Sequence, residues 1–224
     1  MPTDAVLLGT SAPAAAHIGG QRIGRRLRHR LSGTAPGPGV YKVDWALKGL
    51  IPWTDPLCRD AATVHLGSTL DEIERSELAM WNGRIADKPF VILAQPTVVD
   101  PSRAPAGQHT AWAYTHVPHG WQGNVTDAIE RQVERFAPGF AANIIHRESS
   151  SPADLERANP NLVGGDLGMG AFGVLAMVRR PRFGRYPHRI GHGIYLASAA
   201  AAPGPGLHGM AGYRAALAAI HDSR

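Results

Sequence analysis

Alternating apolar and polar residues in the middle of the chain predict several β-strands. Residues 40–47 separate into two sides, with Val40, Lys42, Asp44 and Ala46 on one and Tyr41, Val43, Trp45 and Leu47 on the other. Such alternation is typical of a half-buried strand. Further strands are predicted around residues 63–66, 90–95, 110–117 and 143–147. The turn-rich stretch 100–107 would join two of them as a hairpin.

Helical patterns lie between these strands. Thr69-x-x-Glu72 fits a capping box, which predicts a helix that runs to about residue 81. Thr126 is expected to cap a second helix that ends near Phe136. Residues 35–184 therefore predict a mainly antiparallel sheet with helices.

The two ends of the chain carry a different pattern. A short apolar run at 4–8 predicts a buried strand, with helices after Ser11 and over about 21–31. Near the other end, the apolar run 194–197 precedes a glycine-rich turn and a small-residue helical pattern at 210–220. Such strand–turn–helix pieces are typical of a parallel α/β layer. We therefore predict an α/β (α+β) protein in which residues 1–34 and 185–224 form a partial Rossmann-like layer.

Composition agrees with a folded, loop-rich α/β chain. Of 224 residues, 44% are hydrophobic, which is enough for a sizeable core, and 26 are glycine and 18 proline. The net charge is +5, and much of the excess lies in Arg22, Arg25, Arg26, Arg28 and Arg30. This stretch could contact nucleic acid or an anionic membrane, or form a solvated helix face. Because no aromatic residue interleaves with the arginines, we favour the solvated face and expect no nucleic-acid partner.

Cysteine usage and apolar runs limit the function classes. The single cysteine, Cys58, excludes a disulfide framework and a cysteine-based zinc site. No run reaches about 18 apolar residues, so no transmembrane segment is expected. The N-terminal residues lack the pattern of a secretory signal, and we expect a cytoplasmic protein.

A six-residue loop carries the strongest candidate chemistry. Gly204-Pro205-Gly206-Leu207-His208-Gly209 has the spacing G-x-G-x-x-G between a predicted strand and a predicted helix. Free N–H groups at a helix N-terminus favour phosphate or another anionic oxygen. The same residues also fit a purely structural strand-to-helix turn. A complete dinucleotide fingerprint needs a second strand and an acidic residue about 20 positions on, and only about 15 residues follow here.

Longer stretches around this loop resemble a known family. Gly193–Ser198 and Pro203–Ala216 resemble the C-terminal signature of phytoene desaturase-like, FAD-dependent oxidoreductases. Other segments are similar to the substrate domain of that family, namely residues 39–47, 63–67, 94–96, 100–107, 109–114, 132–140 and 159–166. The resemblance covers nearly the whole chain. It implies an FAD cofactor and the removal or rearrangement of hydrogen on an apolar substrate.

The resemblance also implies where the cofactor and substrate would bind. In this family the flavin domain is split, so residues 1–34 and 185–224 would form part of it and residues 35–184 would form the substrate domain. The implied cofactor contacts are Ser198, Gly204, Gly206, Leu207, His208, Gly209 and Met210. The family's first βαβ unit, with its own glycine loop, has no counterpart in this sequence. We therefore expect a partner chain that carries that half, a truncated protein, or a non-catalytic remnant.

Several other residues are compatible with either a functional or a structural role. His109 and His116-x-x-His119 suggest a metal, but positions i and i+3 of a strand and its exit loop face different sides, so no metal site is expected. His208 could stabilise the negative charge of a reduced flavin, or cap the helix. Asp166, in a glycine-rich stretch, could line the pocket or hold a turn. Trp45, Trp112 and Tyr114 suit a substrate sheet or a packed core. No catalytic residue, substrate, electron acceptor or oligomeric state is identified, although the arginine stretch leaves a membrane-surface contact open.

Overall fold

The computed structural model describes residues 3–171, Gly173, Arg180 and 186–223. Within them, the main elements are β1 (Val6–Leu8), α1 (Ala12–Gly19), α2 (Arg25–Ser32), β2 (Gly39–Leu47), β3 (Thr63–Leu66), α3 (Leu70–Trp81), β4 (Val91–Ala94), α4 (Pro96–Val99), β5 (His109–Val117), α5 (Thr126–Phe136), α6 (Phe140–Asn143), β6 (Ile144–Ser150), α7 (Pro152–Ala158), β7 (Arg189–Gly191), β8 (Ile194–Leu196) and α8 (Met210–Asp222). In this part of the chain the strands form two sheets and helices lie between strands in sequence, which confirms the predicted α+β class.

The chain divides into two compact units. The end unit comprises Met1–Gly37 and Asn159–Arg224, and the middle unit comprises Pro38–Ala158. The sequence-based division places residues 159–184 with the middle of the chain, whereas the structure groups Asn159 onward with the two chain ends. The assignment of these parts to cofactor and substrate binding stays a prediction.

The middle unit is built on a five-stranded antiparallel sheet of order β3-β4-β5-β2-β6. The central strand β2 pairs along its whole length with β5, from Gly39 opposite Val117 to Leu47 opposite His109. As the alternation predicts, Tyr41, Val43, Trp45 and Leu47 are buried. They pack with Ile129, Val133 and Phe140, which lie on or beside α5. Because α5 covers this face, its apolar stripe and that of β2 form one core.

Helix starts in the middle unit agree only in part with the sequence predictions. Thr69 caps α3 by accepting a hydrogen bond from the N–H of Glu72 (3.2 Å), which confirms the predicted start of the helix, while the Glu72 carboxylate pairs with Arg135 and does not complete the capping box. The predicted cap at Thr126 is wrong, because Thr126 is already the first residue of α5. Its N–H donates to Asn124 Oδ1 (2.8 Å), and its hydroxyl bonds with that of Tyr41 (3.2 Å). Asn124 therefore caps α5, because the Thr126 hydroxyl is bonded to Tyr41 in the core.

The end unit is a small sheet of order β1-β8-β7 between helices. β1 and β8 are parallel, with Val6 opposite Ile194 and Leu8 opposite Leu196. β7 runs antiparallel to β8. The helix expected over 21–31 is a single 3₁₀ turn at Gly20–Arg22 followed by α2, because Ile23 between them is extended (φ −99°, ψ 126°). Ile23 is thereby buried in the core of the unit.

Candidate functional site

Successive residues of β8 face opposite sides of the small sheet, and a different helix packs on each side. Ile194 and Leu196 pack with Leu8 and with Ala15 and Ala16 of α1. Tyr195 points the other way and packs with Ala215 and Ala218 of α8. The small alanines allow each helix to lie close to the strands. A parallel strand pair with a helix on each face is the unit that doubly wound folds repeat, and in those folds ligands bind beyond the carboxyl ends of the strands.

The two loops that leave the carboxyl ends of β1 and β8 are joined to each other. The Ala197 N–H donates to the Leu8 carbonyl (2.8 Å), which continues the ladder past the strands. The Ser198 hydroxyl then donates to the Thr10 carbonyl (2.6 Å) and accepts from the Ala200 N–H (3.2 Å). These bonds place the exits of β1 and β8 side by side.

The glycine loop after β8 uses backbone conformations that glycine adopts without strain. All three glycines of the G-x-G-x-x-G have positive φ, at 100° for Gly204, 151° for Gly206 and 65° for Gly209. Gly204 is buried and its N–H donates to the Ala201 carbonyl (2.8 Å), whereas residues 206–209 are exposed. A Cβ on Gly206 would lie 2.7 Å from the His208 ring, and a Cβ on Gly209 would point into open space. The exposed backbone at 206–209 can therefore be approached closely by a ligand.

His208 caps the helix that this loop begins. Its Nδ1 accepts a hydrogen bond from the Met210 N–H (3.0 Å), so the neutral ring carries its proton on Nε2. The first backbone bond within α8 runs from the Tyr213 N–H to the Gly209 carbonyl. Among the described residues, no partner is recorded for the N–H groups of Ala211 and Gly212, as expected in a first helical turn. These two donors and the positive end of the helix dipole are available to an anionic oxygen.

A buried carboxylate organises the glycine-rich stretch that precedes this loop in the chain. Asp166 is 4% exposed and accepts three backbone hydrogen bonds, from Gly168 (2.8 Å), Gly170 (2.7 Å) and Gly37 (2.7 Å). A Cβ on Gly37 would lie 2.9 Å from both carboxylate oxygens, so only glycine fits there. Asp166 therefore holds a turn rather than an open pocket.

A buried guanidinium connects this turn to the segment between β8 and the glycine loop. Arg180 donates to the carbonyls of Gly168 (2.8 Å), Gly170 and Ala199 (2.8 Å). Burial lowers the pKa of Arg180, and the nearby negative charge of Asp166 opposes that shift. Gly168 and Gly170 each donate their N–H to Asp166 and accept from Arg180 through their carbonyl, so the same two residues bridge the two buried charges.

The structure separates the seven predicted cofactor contacts into two groups. Gly206, Leu207, His208, Gly209 and Met210 lie together at the surface, and the Leu207 side chain is fully exposed. Ser198 and Gly204 lie inside, where their polar groups bond to neighbouring backbone. Sequence reasoning missed the roles of Thr10 and Arg180. Arg180 lies in a basic, proline-containing stretch without periodicity, so no local signal marks it.

A separate cleft lies away from this loop. It has a volume of about 540 Å³ and lies at the amino ends of β1 and β8, where Asp4, Arg22, Arg189 and Asp222 line it. Asp222 accepts a hydrogen bond from the Tyr195 hydroxyl (2.8 Å) and pairs with Arg189 (3.1 Å). That tyrosine bond chiefly lowers the pKa of Asp222. These contacts attach the end of α8 to the sheet.

Two histidines of the middle unit have hydrogen-bond partners, and its cysteine has a raised pKa. His116 Nδ1 bonds with Glu77 (2.9 Å), and His109 Nδ1 with Thr97 (3.1 Å). Among the described residues, no three His, Cys, Asp or Glu side chains gather as metal ligands would. Burial and the nearby Asp55 raise the pKa of Cys58, which disfavours its thiolate.

One face of the middle sheet carries aromatic rings that are not in the core. Trp112 and Tyr114 alternate with buried residues of β5 and stack at 6.2 Å between ring centroids. The Lys42 ammonium lies 5.5 Å from the Trp112 ring. Burial raises the pKa of Tyr114. Trp45, in contrast, belongs to the core and packs edge-on against Phe140.

Comparison with known proteins adds a family context. No family model matches the chain. It is 31% identical over 154 residues to mouse pyridine nucleotide-disulfide oxidoreductase domain-containing protein 2, covering 62% of this chain and 26% of the relative. The rat protein of the same name is 30% identical over 187 residues, covering 76% of this chain and 32% of the relative. Its curated relatives carry an oxidoreductase domain. The chain spans about a third or less of their length.

A solved structure supports the fold over nearly the whole chain. An oxidoreductase from Methanosarcina mazei aligns with 99% of this chain and 43% of its own, at a TM-score of 0.55 and 12% identity. Together with the curated relatives, this fold fits a family of FAD- or NAD(P)-dependent oxidoreductases. Among the described residues, no helix is long and apolar enough to cross a membrane.

Proposed function

We propose that this chain is the C-terminal portion of an FAD-dependent oxidoreductase of the phytoene desaturase-like kind. One observation carries the proposal. Three glycines with positive φ lead from a parallel strand into a helix in which, among the described residues, the N–H groups of Ala211 and Gly212 have no partner, at the carboxyl edge of the sheet. This edge is where doubly wound folds bind nucleotide cofactors. The oxidoreductase domain of the curated relatives supports the same reading.

The residues present fit one part of such a cofactor. The N–H groups of Ala211 and Gly212 would hold an anionic oxygen, and the exposed backbone of Gly206–Gly209 would lie against the flavin or the pyrophosphate. When bound, FAD would accept the hydride that leaves the substrate. The Nε2 proton of His208 could donate to an electron-rich oxygen or nitrogen in the same place, while Nδ1 keeps its cap on α8.

The rest of the cofactor needs groups from elsewhere. The end unit holds three carboxylates, Asp4, Asp166 and Asp222. Asp4 and Asp222 line the cleft at the amino edge, and Asp166 is buried under three hydrogen bonds. None of them lies in the loop that would meet a ribose, whose hydroxyls an acidic residue usually binds. We infer that another segment or a partner chain completes the cofactor site.

The apolar substrate belongs to the same proposal. The stacked Trp112 and Tyr114 rings of the middle sheet offer aromatic surface of the kind that binds small apolar molecules. Removal of hydrogen from such a molecule requires little charge recognition. Its reactive carbon would instead be positioned by shape.

The test compares two glycines with the same backbone requirement. Gly209→Ala and Gly107→Ala each place a Cβ in open space at positive φ, 65° and 78° respectively. Each substitution should cost about 1 kcal/mol of stability from backbone strain. Only Gly209 lies in the proposed cofactor loop. Purified chains, alone and co-expressed with candidate partner chains, are compared for visible flavin absorbance.

The proposal expects flavin in the wild type and in Gly107→Ala, and its loss in Gly209→Ala. Equal flavin content in both variants would remove the loop from the cofactor site. A protein without flavin under every condition would favour the alternative function, a non-catalytic remnant or a subunit whose cofactor is bound elsewhere.

A further inference from the structure

A second cleft, of about 490 Å³, lies between α1 and α2 in the end unit and shares no lining residue with the glycine loop. One wall is formed by Arg25, Arg28, His29 and Ser32 of α2. These positions follow the spacing i, i+3, i+4, i+7, so they form a single helix face. The facing wall, from α1 and the turn after it, has the same spacing and is mostly small, with His17 as its polar member. One face of each helix thus forms a wall of this open cleft.

The charges in this cleft have no counter-charge in the chain around them. The sequence contains five arginines and no acidic residue between Asp4 and Asp44. Among the described residues, neither Arg25 nor Arg28 is recorded in an ion pair, and no acidic residue lines the cleft. Like charges at i and i+3 destabilise a helix, and Arg25 also lies in the first turn, where the helix dipole disfavours a cation. A bound anion would offset both of these unfavourable interactions.

The whole end unit has a charge that would attract such an anion. It holds twelve arginines and three aspartates, a net charge of +9. The middle unit holds eleven lysines and arginines and fifteen acidic residues, a net charge of −4. The basic character of the protein is therefore a property of one unit, in which Arg25 and Arg28 line a concave surface.

We propose that the α1–α2 cleft binds a phosphate-type oxyanion, either free phosphate or pyrophosphate or the phosphate of a lipid head group. Two guanidinium groups one helical turn apart can each form paired hydrogen bonds with phosphate oxygens. Ser32 and the histidine rings add further donors on the same two faces. The small α1 wall leaves room for the anion. This site is independent of the proposed flavin loop.

The test uses two double variants with the same change in net charge. Arg25→Gln with Arg28→Gln alters the cleft, whereas Arg26→Gln with Arg30→Gln alters the same helix outside it. Binding of sodium pyrophosphate to the 224-residue chain is measured by titration calorimetry at constant ionic strength. The cleft variant should raise the dissociation constant about tenfold or more, and the control about twofold or less. Far-UV circular dichroism checks that both variants keep their helices.

Vesicles separate the two sources of phosphate. Phosphatidylcholine vesicles with and without phosphatidic acid are tested for co-sedimentation of the same proteins. If the protein binds only vesicles that contain phosphatidic acid, needs the cleft arginines to do so, and does not bind pyrophosphate measurably, the site is assigned to a lipid head group. If it binds pyrophosphate through the cleft arginines but not these vesicles, the site is assigned to a free phosphate compound. The proposal is overturned if neither probe binds, or if both double variants weaken binding equally.

Discussion

Replacement of Asp166 by asparagine tests the buried network behind the glycine loop. The carboxylate accepts three buried N–H groups, with Oδ1 serving Gly168 and Oδ2 serving both Gly170 and Gly37. Asparagine has the same shape but one oxygen and an NH₂ group. If its oxygen takes the position of Oδ2, its NH₂ group faces the Gly168 N–H, and one buried donor loses its partner.

The magnitude follows from these contacts. A buried N–H without a partner costs about 1–3 kcal/mol, and two bonds that lose a charged acceptor each weaken by about 1 kcal/mol. The buried guanidinium of Arg180 also loses a nearby negative charge. We expect a loss of about 3–4 kcal/mol, which corresponds to about 10 °C in the melting temperature of a chain of this size.

Hydrogen exchange measured by mass spectrometry or NMR gives the most local readout. The amide protons of Gly37, Gly168 and Gly170 should exchange several hundredfold faster in Asp166→Asn than in the wild type, since about 1.4 kcal/mol is a factor of ten. Asp100→Asn is the matched control, because Asp100 also accepts a backbone N–H in its own turn but its side chain is only half-buried. Unchanged protection of the three glycines in Asp166→Asn, or an equal effect of Asp100→Asn, would refute this account of the network.

Three further substitutions test other parts of the fold. Gly212→Ala places a Cβ in open space within α8 and should raise stability by about 0.5–1 kcal/mol in thermal melts, while a lower melting temperature would contradict this. Gln95→Leu removes the partner of Trp53 Nε1 (2.9 Å) and of two carbonyls, and should lower stability by about 3 kcal/mol in urea unfolding. Hydrogen bonds from Ser151 lower the pKa of Asp154 to about 2, so its stabilisation is complete above its ordinary pKa and is lost as the pH falls through about 2. The difference in urea midpoint between wild type and Asp154→Asn should therefore be constant near neutral pH and disappear in strong acid. A difference that grows in acid would contradict this account.

Local patterns predicted most of the middle unit. The two-residue period of β2 identifies its buried face, and the Thr69 capping box identifies the start of α3. Both signals depend only on residues within a few positions of each other. The prediction at Thr126 was wrong for the opposite reason. Its hydroxyl bonds to Tyr41, 85 residues away, and no local pattern reveals that competition.

The sequence predicted the glycine loop of the candidate site, but not where that loop lies in the fold. The spacing of Gly204, Gly206 and Gly209 marks a strand-to-helix turn, and their positive φ angles agree with it. The sequence left two roles for His208, a contact with the flavin or a helix cap. The structure shows that its Nδ1 caps α8. Which side chains support the loop was not predictable, because Arg180 acts through carbonyl groups that any sequence would supply.

By itself, the sequence determined the central strands and the two main helices of the middle unit, the concentration of arginines near one end, and the glycine spacing of the loop. Only the tertiary structure decided that β1 lies beside β8 and that Ser198 bonds to Thr10, 188 residues away in the chain. It also decided that Gly37 donates to Asp166 across 129 residues. The physical reason is range: periodicity and capping act within one or two helical turns, whereas strand partners and buried ion networks depend on which distant surfaces exclude water together.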